Sequence, residues 1–319
     1  MSCYLQPSPL PSPFRLSPSS SALVSTTTLP SSFDWRNVSG LDLTSPIRSQ
    51  YVPQWCGSCW AHAVTSALAD RVNGMNARAP GAREGSQPAR RGSAMLAVQN
   101  LLDCAGTAGT CNGGSWELSF EFARKTGITD DSCSPYLGSD RNCLGGARMC
   151  TLCYSDGTCV PVPGARKFRV EEWDYMNASS YGSKVSSAPA IAAMQEEILQ
   201  RGPIVCSMQT EDDDNAHPWH CYEGGVYRTN STFASTNHVI NLLGWGTAED
   251  GVDFWIGRHS GGTIFGEDGF FRIERGVNAL NIESHCGWAT IADARPTRSR
   301  NMSQLPCENG VPRPPAAAE

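Results

Sequence analysis

Cysteine is the residue type that most constrains how this chain can fold. The sequence has fourteen cysteines in 319 residues, and five of them lie between Cys133 and Cys159, in a segment rich in Gly, Ser, Asp and Asn. So many thiols indicate disulfide bonds formed in an oxidising compartment. The competing interpretation is a zinc site, because four of these five cysteines could supply thiolate ligands. Those four are Cys143, Cys150, Cys153 and Cys159.

The start of the chain lacks the signal expected of a protein that enters such a compartment. Residues 1–28 are rich in Pro and Ser and contain no apolar core of the ~7–15 residues that a signal peptide needs. We interpret them as a propeptide remnant or a disordered segment, at a start that is incomplete. Four N-x-S/T sequons agree with a lysosomal, vacuolar or extracellular protein. They are at Asn37, Asn177, Asn230 and Asn301.

Charge and hydropathy argue against two classes of partner. The formal net charge is −6, and basic residues cluster only between Ala77 and Arg91, so no nucleic acid is expected as a partner. No apolar run reaches the ~18 residues needed to span a bilayer, so no membrane partner is expected either. We therefore expect a globular monomer that uses no cofactor.

Apolar spacing divides the chain into a helical half and a β-rich half. Helices are predicted over residues 58–73, 94–102, 116–125 and 189–201. Short strands bounded by glycines are predicted over residues 225–227, 238–244, 253–257 and 269–273. The predicted organisation is α+β over residues 29–293, helical at about 45–165 and β-rich at about 166–293. The tail at 294–319 has no core pattern and is predicted to be disordered.

The stretch CGSC, from Cys56 to Cys59, places a thiol in the first turn of the first predicted helix. Unpaired backbone N–H groups and the helix dipole stabilise an anion there and lower a thiol pKa. A nearby imidazole would complete a thiolate–imidazolium pair, which attacks acyl carbons. His238 is the candidate, because it begins a predicted strand in the stretch TNHVINLLGWG. The alternative interpretation is a redox disulfide between Cys56 and Cys59.

Five segments, in this order along the chain, resemble the papain family of cysteine proteases. They are LPSSFDWRNV (29–38), CGSCWAH (56–62), LLDCAGTAGTCNGG (101–114), GPIVC (202–206) and NHVINLLGWG (237–246). The spacing from Gln50 to Cys56 and the cysteines from Cys133 to Cys159 resemble the cathepsin X (cathepsin Z) branch of the family. The resemblance implies a papain-like two-domain α+β fold, with a helical domain, a β-barrel-like domain and the active site in the cleft between them. It also implies peptide or protein substrates.

The resemblance implies a role for each matching residue. Cys59 matches the nucleophile and His238 its base. Gln50 matches the glutamine whose side-chain amide forms an oxyanion hole with the backbone N–H of Cys59. The positions that bind the substrate are matched by Gly113, Gly114 and Asn237. The disulfides that the resemblance implies are Cys56–Cys111, Cys104–Cys143, Cys133–Cys150, Cys153–Cys159 and Cys206–Cys286.

The family's third catalytic residue and its neighbour are replaced in this chain. The family has an asparagine that orients the histidine and a tryptophan that shields the contact from water. Here, His259 stands at the asparagine position and Gly261 at the tryptophan position. A neutral His259 could accept the N–H of His238 through one ring nitrogen, whereas a protonated one would repel the imidazolium, and Gly261 is expected to leave the contact wet. A structural role for His259 is the alternative to a catalytic one. The alternative to a peptidase is therefore a catalytically weakened or inactive papain-like binding protein.

The loop after Gln50 also departs from the branch that it resembles. In that branch, a histidine after the glutamine binds the carboxylate at the end of the substrate, so that the enzyme acts as a carboxypeptidase. Tyr51 stands at that position, and Trp55 replaces a tyrosine at the other end of the loop. Both donate only neutral hydrogen bonds, which are weaker than charge-assisted ones. We expect a blocked cleft with weakened carboxylate binding.

Two further clusters attract attention. Cys3 resembles the propeptide cysteine that blocks the active thiol in precursors of that branch, which would make the chain's own propeptide a partner; the alternative is a chance cysteine at a misassigned start. The segment from Asp212 to Cys221 contains three aspartates and two histidines, which could bind a metal ion. Because Pro218 would interrupt any helix there, we interpret this segment as a solvated loop and expect no metal site.

Overall fold

The fold combines four α-helices with a large mixed sheet. The computed structural model describes residues 3–4, 28–78, 94–162, 164–211 and 218–292, and the backbone of 307–308 and 311–312. The helices are α1 (Cys59–Arg78), α2 (Val98–Cys104), α3 (Trp116–Lys125) and α4 (Ala188–Gln200). The strands are β1 (Phe33–Asp34), β2 (Gly109–Thr110), β3 (Gly113–Gly114), β4 (Thr151–Cys153), β5 (Cys159–Pro161), β6 (Val170–Tyr175), β7 (Ile204–Met208), β8 (Val226–Tyr227), β9 (His238–Thr247), β10 (Asp253–Arg258), β11 (Phe270–Glu274), β12 (Cys286–Ile291), β13 (Cys307–Glu308) and β14 (Val311–Pro312).

The large sheet has eight strands in the order β6-β12-β7-β9-β10-β11-β8, with β1 paired to β9. All its pairs are antiparallel except β11 with β8. The strands β6 and β8 are the two ends of this order, so the described strands do not close into a barrel. The expected β-barrel-like half is therefore an open sheet.

Two hydrophobic cores stabilise the two halves of the protein. One core surrounds α1 and includes Trp60, Leu68 and Phe120, each at most 1% exposed. The other core lies on the sheet and includes Trp245 and Phe271, also at most 1% exposed. Burial of large side chains such as these contributes roughly 1.5–3 kcal/mol each to stability.

Helix α1 is buried along most of its length and lies against strand β9. Small residues on the helix, mostly alanines, allow this close packing. The helix continues five residues past the predicted end at Asn73. Glycine has a low helix propensity, so Gly74 disfavours a helix at this position. Packing nevertheless requires a glycine there, because a Cβ would lie 2.5 Å from the ring of Trp35.

Six disulfides join twelve of the cysteines. Five of them are the pairs implied by the family resemblance: Cys56–Cys111, Cys104–Cys143, Cys133–Cys150, Cys153–Cys159 and Cys206–Cys286. The sixth joins Cys3 to Cys59. The redox interpretation of Cys56 with Cys59 is therefore wrong, since each has a different partner. The zinc interpretation is also wrong, because all four of its sulfurs are in disulfides.

Other predictions fall at the edges of the described residues. Strands β13 and β14 form a small antiparallel ladder inside the tail that was predicted to be disordered. Residues 212–217, which hold the three aspartates and His217, lie outside the described residues, as does the sequon at Asn301. The other three sequon asparagines are exposed. Among the described residues, no helix has the length and apolar character needed to cross a membrane.

Candidate active site

The sulfur of Cys59 lies at the start of helix α1 and is fully buried. The carbonyl of Ser58, just before the helix, accepts bonds from the N–H groups of Ala61 and His62, so the chain enters the helix at this point. Cys59 is bonded to Cys3, whose side chain is also buried. The position that should stabilise a thiolate therefore holds a disulfide.

His238 begins strand β9 and faces this disulfide. Its Nδ1 atom lies 3.1 Å from the sulfur of Cys3. The two sulfurs and a ring nitrogen of His238 all lie within 4.8 Å of one another. Among the described residues, this is the one group of three such side chains close enough to share a metal ion, but both sulfurs are bonded to each other. Burial lowers the pKa of His238 to about 3, so its ring is neutral in this state.

The chain's own N-terminal residues occupy the predicted substrate-binding strip. The backbone N–H groups of Cys3 and Tyr4 both donate to the carbonyl of Asn237, at 3.0 and 3.2 Å. The N–H of Gly114 donates to the carbonyl of Cys3 at 3.2 Å. Gly114 must be a glycine, because a Cβ there would lie 2.5 Å from the ring of Trp60. Gly113 pairs with Thr110 in the short β2–β3 ladder.

Gln50 is buried, and a hydrogen bond fixes the orientation of its side-chain amide. Its side-chain oxygen accepts a hydrogen bond of 2.6 Å from the hydroxyl of Ser260, and its backbone N–H donates to the carbonyl of Ser260. The backbone carbonyl of Gln50 accepts from Cys56. Ser260 is an orienting residue that the sequence did not reveal.

His259 lies next to His238, but the two rings stack. Their centroids are 4.5 Å apart and their planes differ by 28°. The Nε2 atom of His238 and the Nδ1 atom of His259 are both buried without a hydrogen-bond partner. In this disulfide-bonded state, His259 therefore does not accept the N–H of His238. Burial, followed by the neighbouring His238, lowers the pKa of His259 well below its ordinary value, so that this ring is neutral and does not repel an imidazolium.

Aromatic side chains cover His259, although Gly261 stands at the tryptophan position. Phe265 stacks on the other face of His259, with ring centroids 4.0 Å apart and planes 22° apart. Trp219 lies edge-on to His259 at 6.2 Å. His238 and His259 are consequently 6% and 8% exposed. No motif in the sequence signals Phe265 or Trp219, because both approach His259 only through the folding of loops.

Replacing Gly261 by the family's tryptophan is expected to destabilise the protein. A Cβ at Gly261 would lie 2.8 Å from Nδ1 of His259 and 2.9 Å from Cβ of Phe265. Overpacking of this kind costs about 1–3 kcal/mol. The melting temperature of Gly261→Trp should therefore fall by about 3 °C or more. Gly224→Trp should change it little, because Gly224 is exposed and the nearest neighbour of an added Cβ, Oε1 of Glu267, would lie at an ordinary contact distance of 3.6 Å. Equal melting temperatures for both variants would contradict this packing.

The loop from Tyr51 to Trp55 connects Gln50 to Cys56. The N–H of Cys56 donates to the carbonyl of Gln50 at 3.1 Å, which closes the base of the loop. Gln54 donates to the carbonyl of Leu137, and Tyr51 donates from its backbone to the hydroxyl of Ser49. The side chains of Tyr51 and Trp55 are each 47% exposed. The loop is thus anchored at its ends and presents two aromatic side chains to solvent.

A thiol at a helix start, an imidazole at a strand start and a buried amide beside them define a class of enzyme. Cysteine hydrolases use groups of these three types as nucleophile, base and oxyanion donor for acyl transfer. The comparisons with known proteins identify the family within this class.

The profile described as papain family cysteine protease matches residues 29–294. Cathepsin Z from Onchocerca volvulus is 36% identical over 271 residues, which are 82% of this chain and 78% of that protein. Cathepsin B-like cysteine proteinase 3 from Caenorhabditis elegans is 30% identical over 273 residues, 81% of this chain and 65% of that protein. The chain belongs to the papain family and is a cysteine peptidase.

Solved structures show the same fold. Procathepsin L2 proteinase from the larval midgut of Tenebrio molitor has a TM-score of 0.61 and 25% identity, over 85% of this chain and 71% of that chain. A structure from work on the mite allergens Blo t 1 and Der p 1 has a TM-score of 0.60 and 26% identity, over 84% and 73%. The predicted papain-like α+β fold is confirmed, with an open sheet in place of a barrel.

Proposed function

We propose that this chain is a carboxypeptidase-like cysteine peptidase that is held inactive by the disulfide between Cys3 and Cys59. The observation that carries the proposal is the cluster of Cys3, Cys59 and His238, in which the two sulfurs and a ring nitrogen lie within 4.8 Å of one another. The substrates are peptides or proteins. The chain's own N-terminal segment acts as the inhibitory partner.

The mechanism begins when a thiol reduces the disulfide. His238 then takes the proton of Cys59, and the thiolate that forms raises the pKa of the neighbouring imidazolium. The thiolate attacks the scissile carbonyl carbon, and its oxygen receives hydrogen bonds from the amide of Gln50 and the N–H of Cys59. His238 gives its proton to the leaving amine, which produces an acyl-thioester. Water, activated by the neutral His238, hydrolyses the thioester and restores the thiol.

The carboxypeptidase assignment rests on the loop from Tyr51 to Trp55. Because its base is closed by the bond between Cys56 and Gln50, the loop cannot move far from the site. The family resemblance puts this loop on the side of the cleft that would receive the residues after the scissile bond. A substrate would then end just beyond that bond, and single residues would leave from its C-terminus.

Replacing Tyr51 by His should strengthen the preference for a free C-terminal carboxylate. A protonated imidazole makes a charge-assisted hydrogen bond, which is worth about 1–2 kcal/mol more than a neutral one. The measurement compares a peptide with a free C-terminus, its amide and a longer internally quenched peptide, on both forms of the enzyme. Fast internal cleavage of the long peptide by the natural chain, without release of single residues, would show an endopeptidase and contradict the assignment.

One observation favours the second candidate, a weakened or inactive papain-like binding protein. The Nε2 atom of His238 has no acceptor, so no hydrogen bond fixes the ring as the family's asparagine does. Stacking between His259 and Phe265 constrains the plane of the second imidazole but does not accept the proton of the first. A reduced enzyme that binds peptides and forms no acyl-thioester in a single-turnover experiment would support the binding protein.

We also propose a lysosomal, vacuolar or extracellular location. Six disulfides require an oxidising compartment during folding. The exposed sequons at Asn37, Asn177 and Asn230 would be accessible to glycosylation on that route. A shift in mass of the secreted protein after removal of N-linked glycans would support the location.

A further inference from the structure

The side chain of Tyr4 occupies a polar-floored pocket beside the catalytic sulfur. Tyr4 is 3% exposed and follows Cys3, which is bonded to Cys59. Its hydroxyl donates to Oε1 of Glu117 at 3.2 Å and lies 3.0 Å from Nδ1 of His285. A side chain that the N-terminal segment places here lies where a substrate's side chain would lie, because its backbone bonds to Asn237.

An aromatic wall faces the ring of Tyr4, because His285 contacts that ring and other aromatic side chains pack around His285. The ring centroid of His285 is 5.9 Å from that of Tyr4 and 5.1 Å from that of Trp116. Tyr175 stacks on His285 at 5.7 Å, and Tyr181 lies 6.3 Å from it. Walls of this kind favour a flat ring, since aromatic pairs at these separations add to the gain from burial.

The floor of the pocket is a buried carboxylate with a fixed orientation. Glu117 is 1% exposed, and its Oε2 accepts a hydrogen bond of 2.6 Å from the hydroxyl of Ser115. Its Oε1 lies 3.0 Å from Nε2 of His285. Ser207 contacts Nδ1 of His285 at 3.2 Å. One carboxylate oxygen and one imidazole nitrogen therefore face the hydroxyl of Tyr4, and each has a second partner that holds it in place.

We propose that Glu117 and His285 are specificity-determining residues that select a tyrosine side chain in peptide substrates, at the substrate residue that lies beside Gly114 as Tyr4 does here. This inference rests on the proposed peptidase function and names the substrate class of that site. A phenol fills the aromatic walls and donates its O–H to the carboxylate. Burial, followed by the charge of Glu117, raises the pKa of Tyr4, so the hydroxyl remains a neutral donor.

Phenylalanine and basic side chains fit the pocket less well. Phenylalanine would fill the walls but leave the buried carboxylate of Glu117 without its third contact, which costs binding energy. A lysine or arginine would pair with Glu117, but it has no aromatic ring to pack against the ring of His285. The hydroxyl of tyrosine donates to the carboxylate of Glu117 and still has a lone pair, which can accept from Nδ1 of His285 when that nitrogen carries a proton.

The experiment compares kcat/KM for three peptides that differ only at this residue, which is Tyr, Phe or Arg. The reduced full chain should prefer Tyr to Phe by about 10- to 100-fold. In Glu117→Gln, the ratio should fall to about 3-fold or less. The matched control is Glu121→Gln, one turn later on α3, where the carboxylate pairs with Arg124. The control should keep the Tyr-to-Phe ratio of kcat/KM. Competition by the chain's own Tyr4 lowers both kcat/KM values by the same factor, so it cancels in this ratio.

A second measurement is independent of catalysis. In Tyr4→Phe, the Cys3–Cys59 disulfide should be reduced several-fold faster by a fixed concentration of dithiothreitol, measured by alkylation of Cys59. Cleavage of all three peptides with a Tyr to Phe ratio near one, or a preference for Arg, would overturn the inference and leave the peptidase function standing. No cleavage of any peptide, together with faster reduction in Tyr4→Phe, would overturn the peptidase function and support the pocket.

Discussion

Removal of the Cys3–Cys59 disulfide is expected to raise peptidase activity by at least about 100-fold, because the bond consumes the nucleophile. The N-terminal residues also cover the strip at Gly114 and Asn237 that would bind a substrate. The variant Cys3→Ser should therefore be active without a reductant, whereas the natural chain should require one. The measurement is the hydrolysis rate of a fluorogenic peptide before and after mild treatment with dithiothreitol.

Cys221 provides the control for this experiment. It is a free and exposed cysteine, so Cys221→Ser should keep the same dependence on reductant as the natural chain. If Cys3→Ser without reductant is no more active than the unreduced natural chain, the disulfide does not restrain activity. Latency would then have to come from another contact.

Replacing the nucleophile is expected to have the largest effect of all. In the Cys3→Ser background, Cys59→Ser should lower kcat by at least about 10⁴-fold, since a hydroxyl is not deprotonated by an imidazole tuned for a thiol. His238→Ala should cause a loss of similar size, and the double variant should lose little more, because the two residues act as a unit.

The fold must be shown to survive these substitutions. Circular dichroism and the melting temperature of Cys59→Ser should match those of the Cys3→Ser parent, because a sulfur is replaced by a smaller oxygen at one buried position. Activity within 10-fold of the parent in a folded Cys59→Ser protein would show that a different residue attacks the substrate.

Local sequence signals predicted the elements that are set by local chemistry. Helix α3 begins and ends where predicted, because Ser115 caps it and its apolar residues recur at helical spacing. Helix α2 begins four residues later than predicted, at Val98. The preceding residues pair with another segment through the bridge between Leu96 and Asp130, which propensity cannot reveal. Tertiary contacts likewise carry α1 through Gly74, which packs on Trp35.

In the candidate site, too, some features follow from sequence motifs and others depend on tertiary packing. Ordered motifs predicted that Cys59, His238 and Gln50 would meet. The structure places His238 against the Cys3–Cys59 disulfide and bonds Gln50 to Ser260 and Cys56, while the catalytic roles of all three residues remain predictions. The sequence could not show that His259 stacks between His238 and Phe265, because ring orientation depends on how the loop at 261–269 folds back. Local sequence signals could not predict the contact of Tyr4 with Glu117 either, since the two residues are 113 positions apart.

Alkylation of cysteines, followed by peptide mapping, tests the central claim most directly. The natural chain is treated with an epoxide or iodoacetamide at mildly acidic pH, before and after gentle reduction, alongside His238→Ala. We predict that Cys59 is labelled only after reduction, faster than any other cysteine, and that His238→Ala slows its labelling. Labelling of Cys59 before reduction, or equal labelling of Cys56 and Cys59 after it whether or not His238 is present, would contradict a blocked thiolate–imidazolium site.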